Sequence, residues 1–466
     1  MSQSKYKRLA SNSFLFTIGN LGSKLITFFM LPLYTWKLSQ SNFGISDLVM
    51  TTVSLLLPVV SLSVFDAVLR FSLDEDSDKI QIFTNSFFIT LIGTAVLLVT
   101  IPIVIFFEIG YGIFIILILI AQIYQTLFSQ YAKAINKIRI FAINGILLSF
   151  ATAGLNVLFL VVFKLGITGY LFSIFLATMI SNVWLWNVLK INRSINFKKL
   201  DRHFSGDLLK YSIPLIPNGI AFWITNTIGR YFILFFLGTS SNGLFAVANK
   251  IPSLLNVLNT IFFQAWQLSA IEEFDSTDNS KFYSRIFSFY SKFLFVGMSG
   301  ILFILKPMIS ILVSQEFSDS WKYVPFLLLT VVYSSFSGFL GNYYVAAKST
   351  NRVITTTIYG SIFNILGNGL LIPLVGLNGA GISSAISFFL VWIIRQKDTK
   401  RFVRTNLDIP NLVKNHIFIF SQIAGLYLLN GLGLIMWELS CLIIVLVINQ
   451  EPILELIRML SAKKTR

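Results

Sequence analysis

The chain is 466 residues long, 55% hydrophobic and only 12% Asp, Glu, Lys or Arg. Soluble domains carry roughly 25% charged residues, so this chain lacks the charge to cover a water-facing surface, and a soluble fold is excluded. The formal charge of +16 at pH 7 would suit nucleic acid, but the basic residues crowd into one set of connections, which speaks for a membrane.

The apolar residues fall into blocks of about 20, the length that crosses a hydrocarbon core of about 30 Å. The basic start MSQSKYKRLA enters the first block without a small-residue cleavage site. It reads as a retained span and not a signal peptide. In chain order, spans are predicted over 12–35, 44–67, 84–107, 112–133, 140–163, 169–189, 211–236, 243–267, 285–305, 323–345, 353–373, 379–395, 412–431 and 434–450. The last two come from splitting one apolar run at Asn430, Gly431 and Gly433; a single long tilted helix is the alternative. The fold class is an all-α polytopic membrane protein with about 14 transmembrane helices.

With the N-terminus inside, 28 of the 36 basic residues fall in inner connections. Only Lys37, Lys164, Lys306 and Lys322 fall in outer ones. Cytoplasmic retention of Lys and Arg produces this bias, and an even span count puts both termini in the cytoplasm. The richest inner connections, 190–210 and 395–414, divide the spans six, six and two. This predicts an N-terminal six-helix lobe over 1–200, a related one over 201–405, and a C-terminal helix pair with a basic tail over 406–466. Short motifs recur at matching places. Ser41-Asn42-Phe43-Gly44 opens span 2 and Ser241-Asn242-Gly243 opens span 8, while Gly166/Gly169 and Gly376/Gly379 bracket the turns into spans 6 and 12. Paired repeats are a common plan for transporters.

Enzyme chemistry finds little to work with. One cysteine, Cys441, and two histidines near polar connections, His203 and His416, leave no metal cluster or histidine-based catalytic site. No glycine-rich phosphate loop ending in Lys-Ser or Lys-Thr is present. The chain is read as a non-enzyme without cofactors, with a transported Na+ or H+ as the one small ion to consider.

Polar groups inside spans carry the functional signal. Lys24 is mid-span, with Asn20 four residues before it and Ser23 and Thr27 on the adjoining strip. From there an ammonium would have to reach roughly 15 Å to escape the membrane, so a cavity explains it better than snorkelling. In span 7, Asn218, Phe222, Asn226 and Arg230 recur every four residues and share one face. Span 8 carries Asn249, Lys250, Asn256 and Asn259 around Pro252. Arg230 and Lys250 are expected at one depth. Neither span holds an acid, so two cations call for an anion, and the arginine fork suits phosphate. Candidates for coupling or gating are Asp66, Arg70 and Lys292. Asp66 and Arg70, four apart, also read as an interfacial ion pair, and Lys292 as a cavity group or an inner-leaflet snorkeller. Glu438 reads as interfacial.

These features lie in an order that resembles the polysaccharide (Wzx-type) flippases of the multidrug/oligosaccharidyl-lipid/polysaccharide exporter superfamily. The residues that carry the resemblance begin with Asn12-Ser13-Phe14, Leu31-Pro32-Leu33-Tyr34 and Ser41-Asn42-Phe43-Gly44. The second lobe contributes Tyr211-Ser212-Ile213-Pro214-Leu215-Ile216-Pro217 and Asn242-Gly243-Leu244-Phe245-Ala246. Gly360 through Asn364, Ile372-Pro373 and Gly376-Leu377-Asn378-Gly379-Ala380 complete the series. The resemblance implies a transporter that moves undecaprenyl-pyrophosphate-linked oligosaccharides from the inner to the outer leaflet of the bacterial cytoplasmic membrane by alternating access. Such a protein would work as a monomer among membrane lipids and pass its cargo to a downstream polysaccharide polymerase. By position Lys24, Arg230 and Lys250 correspond to the pyrophosphate-holding cations, with Asn20, Asn218, Asn226 and Asn256 as neutral partners. A single deep cation in the first lobe departs from the several arginines of related lipid-precursor flippases. The alternative is a cation-coupled multidrug exporter of the same superfamily.

Overall fold

The computed structural model describes residues 26, 28–72, 77–272, 279–347 and 349–450. Among them every regular element is a helix. The first part of the chain forms α1 (Leu31–Lys37), α2 (Gln40–Val60), α3 (Val64–Phe71), α4 (Lys79–Val99), α5 (Ile101–Phe106), α6 (Gly112–Ala134), α7 (Ile138–Val157), α8 (Gly166–Leu189), α9 (Ile191–Ser194) and α10 (Arg202–Ser212). There follow α11 (Leu215–Thr227), α12 (Gly229–Ala248), α13 (Pro252–Glu272), α14 (Asn279–Leu312), α15 (Val324–Ala346), α16 (Thr350–Val375), α17 (Asn378–Asp398), α18 (Ile409–Leu428) and α19 (Gly431–Ile448). Eleven helical runs among the described residues are long and apolar enough to cross a membrane; one of them, Arg202–Ala248, joins α10 to α12. The protein is a multi-pass, all-α membrane protein. The last apolar run is a hairpin and not one tilted helix, because Gly431 takes a φ of +58° between α18 and α19.

The described chain forms two compact units, 1–223 and 224–466, which divide inside α11. In the first unit, Val64, Val68, Phe83, Leu127, Leu185 and Leu208 make one apolar core. Val49, Val53, Leu119, Ile167 and Leu171 belong to a second. Their outward faces carry exposed Val99, Phe106, Ile143 and Phe150, as expected of helices solvated by lipid.

Where the chain leaves α9, one buried amide does the holding. Asn85 of α4 donates to the Gln81 and Lys199 carbonyls at 2.8 and 3.0 Å. Its oxygen accepts from Asp201 N–H and the Ser205 hydroxyl at 2.9 and 2.8 Å. Both ends of the amide are saturated, as a fully buried amide requires. The basic stretch is therefore pinned to the unit. Further on, the Trp223 indole donates to the Thr51 carbonyl and Ser54 hydroxyl of α2, so the first half of α11 also belongs to this unit.

The second unit is built on aromatic contacts. Phe262 stacks on Tyr290 with ring centroids 3.9 Å apart, and Trp266 stacks on Phe339 at 4.2 Å. The hairpin α18–α19 packs on α14 within this unit. The repeated glycine turns have one physical cause in both units. Gly166 and Gly376 take φ values of +57° and +65°, which disfavour any side chain. A Cβ on Gly169 would come within 2.8 Å of Leu165 Cβ, and one on Gly379 within 2.4 Å of the Leu371 carbonyl oxygen.

Candidate functional site

The second unit encloses a polar cavity of about 290 Å³. It forms around a broken helix: Gly238 takes a φ of +82° and a ψ of −178° inside α12, so α12 is two helical pieces and both of its ends can line one space. Asn226 ends α11 and Arg230 begins α12, on either side of the junction at Ile228. At the far end of α12, Pro252 has no N–H to continue the helix. The chain turns through Asn249, Lys250 and Ile251 with tight bonds from Lys250 N–H to Val247 and from Ile251 N–H to Ala248. Both interruptions border the cavity. Thr225, Asn226, Thr227 and Arg230 line it from the first, and Asn249, Pro252 and Asn256 from the second.

The opposite walls come from helices distant in sequence. α15 contributes Thr330 and Ser334, and α17 contributes Ser384. Thr330 Oγ1 donates within α15 to the Phe326 carbonyl at 3.0 Å, with a longer bond to Gly381 of α17. Thr225 shares a 2.8 Å hydroxyl bond with Ser361 of α16. Ser384 accepts from Asn364, whose carbonyl and side-chain oxygen accept from Asn368. A Cβ on Gly229 would stand 3.1 Å from Asn368 Oδ1, so the start of α12 lies against this ladder. The residues lining the cavity include one cation, Arg230, several neutral donors and no carboxylate.

The structure thus brings Asn226, Arg230 and Asn256 together. Lys250 occupies the turn between lining residues Asn249 and Pro252. Asn218 lies on α11. Lys24 and Asn20 fall outside the described residues. Asp66 is half-buried on α3 and faces the charge of Lys133 on α6, while Arg70 is exposed. Lys292 is buried in α14.

Two ionisable residues are buried in ways that their sequence reading does not specify. Arg395, counted with the inner basic connection, is buried in α17. It donates to Thr356 Oγ1 at 3.0 Å, the Ser337 carbonyl at 2.9 Å and Thr357 Oγ1 at 3.2 Å. It ties α15, α16 and α17 together. A signal for it existed: Ser383, Ser387, Val391 and Arg395 lie four apart and all are buried. Glu438, read as interfacial, is 2% exposed, because α18 and α14 close over it.

A second cavity, of about 910 Å³, lies between α15, α17 and α18 and is lined by Tyr333, Phe389, Trp392, His416 and Phe420 among other apolar side chains. His416 is committed within it. Its Nδ1 pairs with the Leu412 carbonyl and its Nε2 with the Tyr333 hydroxyl.

Helix-broken, lipid-facing and enclosing a polar cavity, the molecule has the make-up of a membrane transporter. Its fold is that of the lipid II flippase MurJ in an inward closed conformation, with a TM-score of 0.70, 14% identity, and coverage of 96% of this chain and 100% of that one. An inward-facing multidrug-resistance MATE family transporter of the MOP superfamily is also similar, with a TM-score of 0.67, 14% identity, and coverage of 83% of this chain and 94% of that one. Residues 9–267 match the family described as polysaccharide biosynthesis protein, and the chain belongs to that family. Protein 1 of the Lsg locus of Haemophilus influenzae is 24% identical over 281 residues, 54% of this chain and 63% of that relative. The match spans less than two thirds of the relative's length.

Proposed function

We propose that this protein is a flippase that carries polyprenyl-pyrophosphate-linked oligosaccharide units from the cytoplasmic to the outer leaflet of a bacterial cytoplasmic membrane, for surface polysaccharide synthesis. The observation that supports this most is the lining of the polar cavity. Arg230 stands there among Asn226, Asn249, Asn256, Thr330 and Ser384, with no carboxylate in the lining. A guanidinium presents a planar fork to phosphate oxygens, and neutral amides and hydroxyls suit sugar hydroxyls. A cavity for cationic drugs would need the opposite charge. Membership of a polysaccharide-biosynthesis family supports the same reading.

In this reading Arg230 and Lys250 attract the pyrophosphate, and Asn226 and Asn256 supply neutral hydrogen bonds. A few cations are enough, since a carrier must also release its cargo. The protein acts as a monomer with both termini cytoplasmic and delivers its lipid to a polysaccharide polymerase. Deleting the gene should abolish surface polysaccharide while the lipid-linked unit accumulates on the cytoplasmic side. Persistence of surface polymer in a strain without a redundant transporter would refute the proposal. Loss of drug resistance with intact polymer would establish the multidrug-exporter alternative.

A further inference from the structure

We infer that Glu438, Gln422 and Ser299 form a buried binding site for a monovalent cation, sodium or a proton, at the junction of α14, α18 and α19. The three side chains are 2%, 0% and 0% exposed. Gln422 Nε2 donates to Glu438 Oε2 at 3.0 Å and, more weakly, to the Ser299 carbonyl at 3.4 Å. Around these bonds, three buried oxygens have no hydrogen-bond partner: Glu438 Oε1, Gln422 Oε1 and Ser299 Oγ. An unmatched buried acceptor is destabilising, and three such oxygens on residues joined by the two Gln422 bonds point to a missing positive species.

The surroundings are shaped for the carboxylate. Gly425 of α18 lies beneath it, and a Cβ there would stand 3.3 Å from Glu438 Oε1 and 2.4 Å from Trp437 Cδ1. The close approach of α18 to α19 therefore depends on that glycine. The donor set is all oxygen, comprising carboxylate, amide, hydroxyl and the Ser299 carbonyl, which suits a hard cation and not a soft one. One carboxylate balances one charge. No group of three or more His, Cys, Asp or Glu suited to a metal ion occurs among the described residues. A proton on Glu438 would satisfy the same need in another way, turning one acceptor into a donor.

Other ionisable groups facing the site are few. Lys306 of α14 lies within electrostatic reach of Glu438, but its ammonium sits over the Trp321 ring at 4.3 Å. Cys441, on α19 itself, approaches the Ser421 hydroxyl at 3.9 Å. The remaining close neighbours on α18, Ser421 and Gln422, are neutral. A bound cation would bridge the last hairpin to α14, and a transmembrane ion gradient would then act on how the hairpin is held. This inference does not rest on the identity of the transported lipid.

The test is the thermal unfolding of the purified full chain in detergent, in sodium, potassium or choline chloride at equal ionic strength, over mildly acidic to mildly basic pH. A ligand that binds only the folded state raises Tm by mass action. Sodium should raise Tm by several degrees over choline if sodium is the ion; acid should do so if it is the proton. Glu438→Gln should remove the response. Should that variant fail to fold, labelling of wild-type Glu438 by dicyclohexylcarbodiimide, read by peptide mass, serves instead. Sodium at constant pH slows the labelling in the first case, and rising pH alone slows it in the second. A wild-type Tm indifferent to both ions, an unchanged response in Glu438→Gln, or labelling insensitive to both sodium and pH overturns the inference.

Discussion

Arg395 and Arg230 are both arginines inside the second unit, and their surroundings differ. Arg395 is 6% exposed, and its guanidinium donates to acceptors on two neighbouring helices. Those acceptors are neutral, so the charge is solvated by the protein as it would be by water. Gly341 makes room for it, since a Cβ there would stand 2.9 Å from Nη1. Arg230 instead begins a helix beside a cavity of about 290 Å³. A cation built into a packed helix junction is part of the scaffold, whereas one lining a polar cavity is, in the function proposed above, placed to meet the cargo. Burial alone does not separate them; the space beside the charge does.

That contrast is broken most severely at Arg395. Arg395→Ala removes three hydrogen bonds that join α15, α16 and α17, an expected loss of about 3 kcal/mol at roughly 1 kcal/mol per bond in a membrane interior. Tm and membrane abundance should both fall, with export falling in proportion to abundance. A variant that keeps its Tm but loses export would move Arg395 from the scaffold to the cavity's work.

Arg230→Ala should do the reverse. Export should drop at least about tenfold, about 1.4 kcal/mol of lost charge-assisted binding, while abundance and Tm stay near wild type. Arg230→Lys should recover only part of the export, because an ammonium keeps the charge but loses the fork. Full complementation by an abundant Arg230→Ala/Lys250→Ala double variant would remove the cavity from the transport path.

Asn85 sharpens the comparison from the first unit, as a neutral counterpart of Arg395. Asn85→Ala breaks the links to 199–205 and leaves the partners on that stretch unmatched; the expected cost is about 2 kcal/mol. The measurable sign is faster proteolysis of the 190–210 connection in inside-out vesicles. Protection equal to wild type would mean that other contacts hold the segment.

The smallest effect belongs to the exposed pair of Asp78 and Lys199 at the start of α4. The hydrogen bond from the Lys199 ammonium, helped by the Gln81 and Ile80 N–H groups, holds the Asp78 carboxyl below its ordinary value against the opposing effect of burial. A carboxyl depressed in the folded state stabilises it above the unfolded-state value, and that contribution is lost as pH falls through the folded-state value. Asp78→Asn keeps a side-chain oxygen to cap Ile80 and Gln81, so only the charge is lost. Because both side chains are more than a third exposed, the change at neutral pH should stay under about 1 kcal/mol. The variant and wild-type Tm should converge in acid.

Much of this was readable before any fold was known, and the exceptions are instructive. The four-residue spacing of Asn226 and Arg230 predicts one helical face; the structure puts them on two helices that meet at Ile228, yet both line the cavity, as do Asn249 and Asn256 on either side of Pro252. Thr330, Ser334 and Ser384 gave no comparable sign. Hydroxyls in apolar helices usually bond back to their own turn, as Thr330 does to Phe326, and nothing local says which of them border a cavity. Arg395 was grouped with interfacial lysines and arginines because it stands in the last turn of an apolar helix beside Lys397 and Lys400. Glu438 lies close to Asn430 and Gly433, which suggested a helix end near the interface. Its burial depends on Ser299, far earlier in the chain.

The sequence by itself determined that the chain crosses a membrane many times and marked the paired glycine turns at Gly166 and Gly376. These follow from hydrophobic run length and from backbone conformations that one residue type tolerates best, both local quantities. Only the tertiary structure decided which polar groups are bonded into neighbouring helices and which line a cavity. Arg395 and Asn85 fell on the bonded side, Arg230 beside a cavity, and Glu438 among unmatched oxygens. The physical reason is that a buried polar atom's free energy depends on the donors and acceptors within about 3 Å of it, and in a helical membrane protein those come from helices a hundred or more residues away as readily as from the next turn.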